Sequence, residues 1–277
     1  MIAVKKLKGA VTFAVAALFI YCLANSKEVA EASGKYLSLC GTAVIPSLFV
    51  FSVLGATVSG SEAFVSLCNA IPFWGTEAAV LLLGFCGGVP LGALTALELY
   101  RSGSISKRQG EYLCTFSTVP SVSFILSYTS EALASRKAGF KLLMMTLAAA
   151  VLTAAVFKPI MLKKEERKIR PALKVKGKSF SEIIASSAVS TVIICGCVVF
   201  FGSLSAMLPN DTGGFLELSV GIANSKSISR SACLLGFSGV SIMCQVSAVC
   251  KGELNNAYLV AAKLFQGAVM GTIARFL

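Results

Sequence analysis

Residues 77–108 constrain this chain more than any other stretch. They read EAAVLLLGFCGGVPLGALTALELYRSGSISKR: an apolar run, the interruption Gly87-Gly88-Val89-Pro90, a second apolar run and a basic loop. Ten helical residues rise about 15 Å, half of a hydrocarbon core roughly 30 Å thick. The interruption therefore falls near the bilayer midplane. Backbone left open at that depth is tolerated only where protein or a water-filled cavity satisfies it. Such a break is either a packing kink or a binding site.

A membrane setting follows from composition. Hydrophobic residues make up 56% of the 277, and the mean hydropathy is +0.80, whereas soluble domains are about 45–50% apolar even with glycine counted. The net charge of +12 is concentrated. Residues 158–178 hold nine basic side chains (Lys158, Lys163, Lys164, Arg167, Lys168, Arg170, Lys174, Lys176, Lys178) against Glu165 and Glu166. That pattern is a cytoplasmic loop under the positive-inside rule. Without a helix-turn-helix or a stacking platform, it does not indicate nucleic acid. Ten cysteines and no histidine argue against a metal centre. No Cys-x-x-Cys pair occurs, and Cys40, Cys86, Cys195, Cys197, Cys233 and Cys244 sit in apolar runs, where cysteine packs as a small hydrophobe. With no nucleophile–base pair either, the sequence gives no reason to expect an enzyme or a cofactor.

Along the chain, Lys5, Lys6 and Lys8 precede an apolar run over 10–24, which reads as a first membrane helix with its N-terminus inside. Residues 1–35 form this helix and its lead-in. A first unit, 36–157, follows: a span over 36–58 interrupted by Pro46, a short interfacial helix with Phe64, Leu67, Ile71 and Trp74 at helical spacing, the broken segment 77–100, a crossing over 109–130, and a linking span over 139–157. The broken segment has basic residues at its exit (Arg101, Lys107, Arg108) and so reads as a hairpin re-entering from the cytoplasmic side. After the basic loop 158–178, residues 179–277 give a long span over 180–208, an amphipathic piece over 213–229, a second broken segment over 230–250 and a last span over 256–277. Full crossing by both broken segments is the alternative.

Two stretches support reading the units as copies. Leu82-Leu83-Gly84-Phe85-Cys86-Gly87 returns as Leu234-Leu235-Gly236-Phe237-Ser238-Gly239 at an offset of 152. The single span between the units inverts the second against the first. The fold expected is thus an all-α polytopic membrane protein, an inverted-repeat carrier with about six transmembrane helices and two broken, re-entrant hairpins. Inverted repeats with broken helices meeting near the midplane characterise secondary transporters.

A substrate site is expected where the breaks meet. Gly87, Gly88, Pro90 and Gly239 would admit a ligand close to the backbone. Ser117, Thr118, Ser121, Ser123, Ser238, Ser241 and Gln245 would offer neutral hydrogen bonds, and Glu217 a carboxylate for a coupling proton or cation. Lys263, Glu98 and Glu111 are further charges near or within spans. Close helix packing without a ligand explains each glycine taken singly. The partners implied are the lipid bilayer and a small polar or anionic solute, with homo-oligomerisation left open.

Four stretches carry a resemblance. Gly88-Val89-Pro90-Leu91-Gly92-Ala93, Phe116-Ser117-Thr118 through Pro120, Glu217-Leu218-Ser219-Val220-Gly221, and Gly236-Phe237-Ser238-Gly239 through Gln245 resemble motifs of the sporulation integral membrane protein YlbJ family, in the nucleoside-recognition (Gate) domain group. The likeness covers about residues 36–277, and Thr118 and Ser219 depart from the family pattern. It implies a fold similar to concentrative nucleoside transporters, a place in a cell membrane such as the outer forespore membrane, and a role in moving dipicolinate during sporulation. The competing class is a non-transporting membrane protein that scaffolds partners in spore morphogenesis.

Overall fold

The computed structural model describes residues 2–59, 61, 62, 66, 70, 74–163, 166, 179–208 and 210–276. The interfacial helix expected around 64–74 and most of the basic loop lie outside these residues. All regular elements described are helical. Three helices are long and apolar enough to cross a membrane: Arg136–Met161, Phe180–Ala206, and Ile228–Val249 with its internal break. Thr12–Ala24 and Ser26–Val44, bent by 93° at Asn25, make a fourth if they count as one span.

In chain order, α1 (Ile2–Ala24) turns sharply into α2 (Ser26–Leu39). A π-helical turn at Cys40–Val44 joins α2 to α3 (Ile45–Ser59). The turn falls just before Pro46, whose missing N–H disturbs the hydrogen-bond ladder there. Then come α4 (Gly75–Gly87), α5 (Val89–Arg101) and α6 (Lys107–Ser117). A second π-helical stretch, Phe124–Thr129, continues to Ala132. The long α7 (Arg136–Met161) and α8 (Phe180–Ala206) follow, then the short α9 (Asn210–Leu216) and α10 (Leu218–Ala223). The chain closes with α11 (Ile228–Phe237), α12 (Gly239–Val249) and α13 (Ala257–Ile273).

Serines start most of these helices after the loops. Ser106 with Gln109, and Ser179 with Glu182, form reciprocal capping boxes at α6 and α8; Ser135 and Ser227 cap α7 and α11. Each satisfies an amide that the helix itself leaves open.

One core joins α4, α5, α6, α7, α11 and α13, with Phe116, Ile125, Leu142, Leu235, Leu259 and Met270 fully buried. A smaller cluster of Cys40, Ile194 and Val198 binds the α2–α3 turn to α8. Val189, Val192 and Phe200 on α8 and Phe140 on α7 point outward, an apolar exterior that suits lipid contact.

Polar ties gather at one end of the bundle. Lys158, near the C-terminus of α7, bonds Glu77 at 2.6 Å, and its ammonium lies 5.7 Å from the Trp74 ring centroid. Arg101, ending α5, pairs with Glu253, which follows α12. The Arg101 guanidinium holds the Glu253 carboxyl below the usual carboxylate range. Glu111 accepts from the Asn255 amide at 3.0 Å, and Gln109 donates to the Glu166 carbonyl at 3.2 Å. The start of α4, the ends of α5, α7 and α12, and the starts of α6 and α13 therefore share this end.

Candidate functional site

Two tight hairpins reach inward from the bundle. In the first, a Cβ built on Gly84 of α4 would lie 2.0 Å from the Ser117 carbonyl oxygen, and one on Gly92 of α5 would lie 2.5 Å from the same atom. The two positions are thus within about 4.5 Å of each other, whereas eight residues of straight helix span about 12 Å. The chain folds back at Gly88, whose φ of 76° is a glycine conformation. Pro90 sits in the first turn of α5, where its missing N–H costs nothing. The interruption expected at Gly87 to Pro90 is thus a reversal of the chain between two helices.

The second hairpin is α9–α10, with Glu217 at its tip. Gly214 and Gly221 face each other so closely that a Cβ on either would lie 2.6–2.7 Å from the other's Cα. The segment expected to be the second hairpin, 230–250, behaves differently. It has the length of a full crossing, interrupted where Ser238 (φ 68°) and Gly239 (φ 85°) take left-handed conformations. The Ser238 hydroxyl and amide bond Leu235 and Leu234 carbonyls at 2.8 and 2.7 Å, closing the end of α11. The Arg101–Glu253 pair puts the far end of α12 beside the roots of the first hairpin.

A matching interruption separates α6 from the 124–132 stretch, at Thr118–Ser121. Lys263, fully buried on α13, donates to the Thr118 carbonyl and, at 2.9 Å, to Gln266 Oε1. A donor at the end of α6 satisfies a carbonyl that the helix itself leaves unpaired. Lys263 is therefore buried rather than snorkelling, and it closes a helix end.

The two hairpin tips and the α6 break converge, with one face of α12, on a pocket of about 110 Å³. It is bordered by Gly88, Val89 and Pro90 from the first tip, Pro120, Ser121 and Phe124 from the α6 break, Glu217, Leu218 and Ser219 from the second tip, and Ile242 and Gln245 of α12. That volume holds several waters or a small solute. Glu217 is 4% exposed; Oε1 accepts from the Ser219 amide and hydroxyl at 3.2 and 3.0 Å. Its Oε2 has no hydrogen-bond partner, although Ser241 of α12 lies close enough to act on the carboxyl group.

Of the residues expected at a site, Gly88, Pro90, Ser121, Glu217 and Gln245 border this pocket. Ser241 stands just behind it, accepting from Gln245 Nε2 at 3.1 Å. Ser123 shares a 3.0 Å bond with Ser121. Gly239 packs against the second tip at the Leu216 carbonyl and Leu218 amide. Gly87 packs on Leu91, Ser117 fills the notch between Gly84 and Gly92, and the Thr118 hydroxyl bonds the Cys114 carbonyl at 2.9 Å. Ser238 caps its own helix. Glu98 borders a separate, larger cavity at the Arg101 end, of about 620 Å³, which meets the central pocket at Pro90. Sequence reasoning did not single out Leu218, Phe124 or Ile242; no polar signal marks them. Among the described residues no cluster of metal-ligating side chains occurs.

No protein-family model, curated protein or solved structure matches this chain.

Proposed function

We propose that this chain is a multi-pass membrane carrier for a small polar or anionic solute, working by alternating access from two inverted units. The observation that supports it is the meeting of two hairpin tips, the α6 break and one face of α12 in one pocket. The units we infer run as span, hairpin, broken span, span. They are α2–α3, α4–α5, α6 through Ala132, and α7; then α8, α9–α10, α11–α12, and α13. A matching sequence lies on the broken spans: Phe116-Ser117-Thr118-Val119 and Phe237-Ser238-Gly239-Val240. The basic loop puts the Lys158 end, and the N-terminus, in the cytoplasm. The first hairpin then enters from the cytoplasmic side, the second from outside, and the 620 Å³ cavity opens inward.

This arrangement predicts that cysteines placed at 101 and 253 cross-link readily under mild oxidation in membranes, and that a cysteine at 104 is labelled from the cytoplasmic side only. Failure to cross-link, or labelling of 104 from outside, would overturn the topology.

The site itself is tested by flux. In reconstituted vesicles, uptake of labelled dipicolinate or uridine is expected to saturate with solute concentration, and to fall about tenfold or more in Gly88→Val or Gln245→Ala, where about 1.4 kcal/mol of misfit suffices. The side chain of valine strains a backbone held at φ 76°. Unchanged uptake at normal membrane levels would sink the carrier reading and leave the scaffold of spore morphogenesis as the better account. Uptake that never saturates would point to a pore.

A further inference from the structure

Glu217 is a carboxyl group in the wrong surroundings for a charge. It is 4% exposed, at the tip of a hairpin inside an apolar bundle, and half of its carboxylate is unpartnered. The side chains around it come from every neighbouring element. Tyr36 of α2, Cys40 in the first π-helical turn, Tyr128 beyond the α6 break and Cys197 of α8 are the titratable side chains within electrostatic reach of it among the described residues. Ser241 of α12 is near enough to act on its carboxyl group as a hydrogen-bonding side chain, Gln245 borders the same pocket, and Gly88 and Val89 from the first hairpin bring only backbone and an apolar side chain. Among the described residues, no basic side chain is one of the groups that act on it; Lys263 is committed to the α6 end. A buried carboxylate with neither counter-ion nor full hydrogen bonding is costly, and taking up a proton removes that cost.

A metal cation is a poorer occupant. Sodium or calcium needs several oxygens converging on one point. Here the Ser219 carbonyl is already taken by Tyr128 at 3.0 Å, the Leu216 carbonyl is packed against Gly239, and among the described residues no second carboxylate faces the pocket.

We propose that Glu217 is a proton-binding site of the carrier: Oε2 takes up a proton from water on one side of the membrane, keeps it while the central pocket is closed, and gives it to water on the other side when the second hairpin opens. The proton is then co-transported. With the carboxyl neutral, the pocket accepts an anionic solute that an ionised Glu217 would repel. This deepens the carrier reading and rests on it for the coupling, but the protonation itself is measured without any solute.

The test is infrared difference spectroscopy of the full chain in vesicles of phosphatidylethanolamine and phosphatidylglycerol, titrated from about pH 5 to about pH 9. Wild type is expected to show the carbonyl stretch of a protonated carboxylic acid, vanishing as pH rises. Glu217→Gln should lack that band. Glu217→Asp, which keeps the titrating group, should retain a shifted band. Identical spectra for wild type and Glu217→Gln would overturn the proposal and leave the carrier reading standing. A Glu217 band that titrates in a protein that moves no solute would do the reverse. Should Glu217→Gln fail to fold, absence of a shift in Glu217→Asp would overturn it equally.

Discussion

Replacing Gly84 by alanine is expected to cost the protein about 3 kcal/mol or more of stability, the upper range for overpacking a filled interior. The added methyl would sit 2.0 Å from the Ser117 carbonyl oxygen, a backbone atom at the end of α6. No rotamer change relieves that contact, so α4 must move off α6 or the α6 break must shift. Gly92→Ala meets the same oxygen at 2.5 Å and should act in the same direction. Thermal unfolding in detergent measures both. Gly196 supplies the control: it lies within α8 with nothing near its Cβ position, and Gly196→Ala should be neutral or stabilise by up to about 1 kcal/mol. Equal behaviour of Gly84→Ala and Gly196→Ala would refute the close packing of the first hairpin.

Gly214→Ala is expected to separate function from fold. Its methyl would lie 2.6 Å from the Gly221 Cα and must pry α9 from α10. The strain falls on the short second hairpin, while the main core, built chiefly from α4 to α7 with α11 and α13, is left in place. Solute uptake should drop about tenfold or more, for a local cost of about 1–3 kcal/mol, with a smaller fall in unfolding temperature than Gly84→Ala produces. Full uptake in Gly214→Ala would mean that the Glu217 tip does not shape the pocket.

The first hairpin could be read from the sequence because its signals are strong. Gly87-Gly88-Val89-Pro90 interrupts an otherwise uniform apolar run, and only glycine takes φ 76° freely while proline opens the next helix. The second hairpin left no comparable trace. Its arms, Asn210–Leu216 and Leu218–Ala223, are too short to show a helical period, and its turn is made by Glu217 in extended backbone rather than by glycine.

The conspicuous repeat falls in different local settings in its two copies. Leu82–Gly87 and Leu234–Gly239 match by residue, but one lies in a hairpin arm and the other in a broken span. What they share is local: Gly84 and Gly236 each let a carbonyl of a neighbouring helix, Ser117 or Gln266, approach the backbone. The shorter Phe-Ser-x-Val match carries the proposed register, and four residues in an apolar chain attract little notice. Lys263 was visible as a charge in a span. That it would close the end of α6 depends on a contact 145 residues away, which no local pattern encodes.

The root of the first hairpin gives the molecule a built-in spectroscopic reporter. Trp74 is the only tryptophan in the chain; it stands just before α4, beneath the Lys158 ammonium, next to the Lys158–Glu77 bond. Indole emission is sensitive to a nearby cation, so movement of α4 against α7 would change intrinsic fluorescence without any attached dye. Stopped-flow mixing with solute or acid could then time the hairpin directly in the unmodified protein.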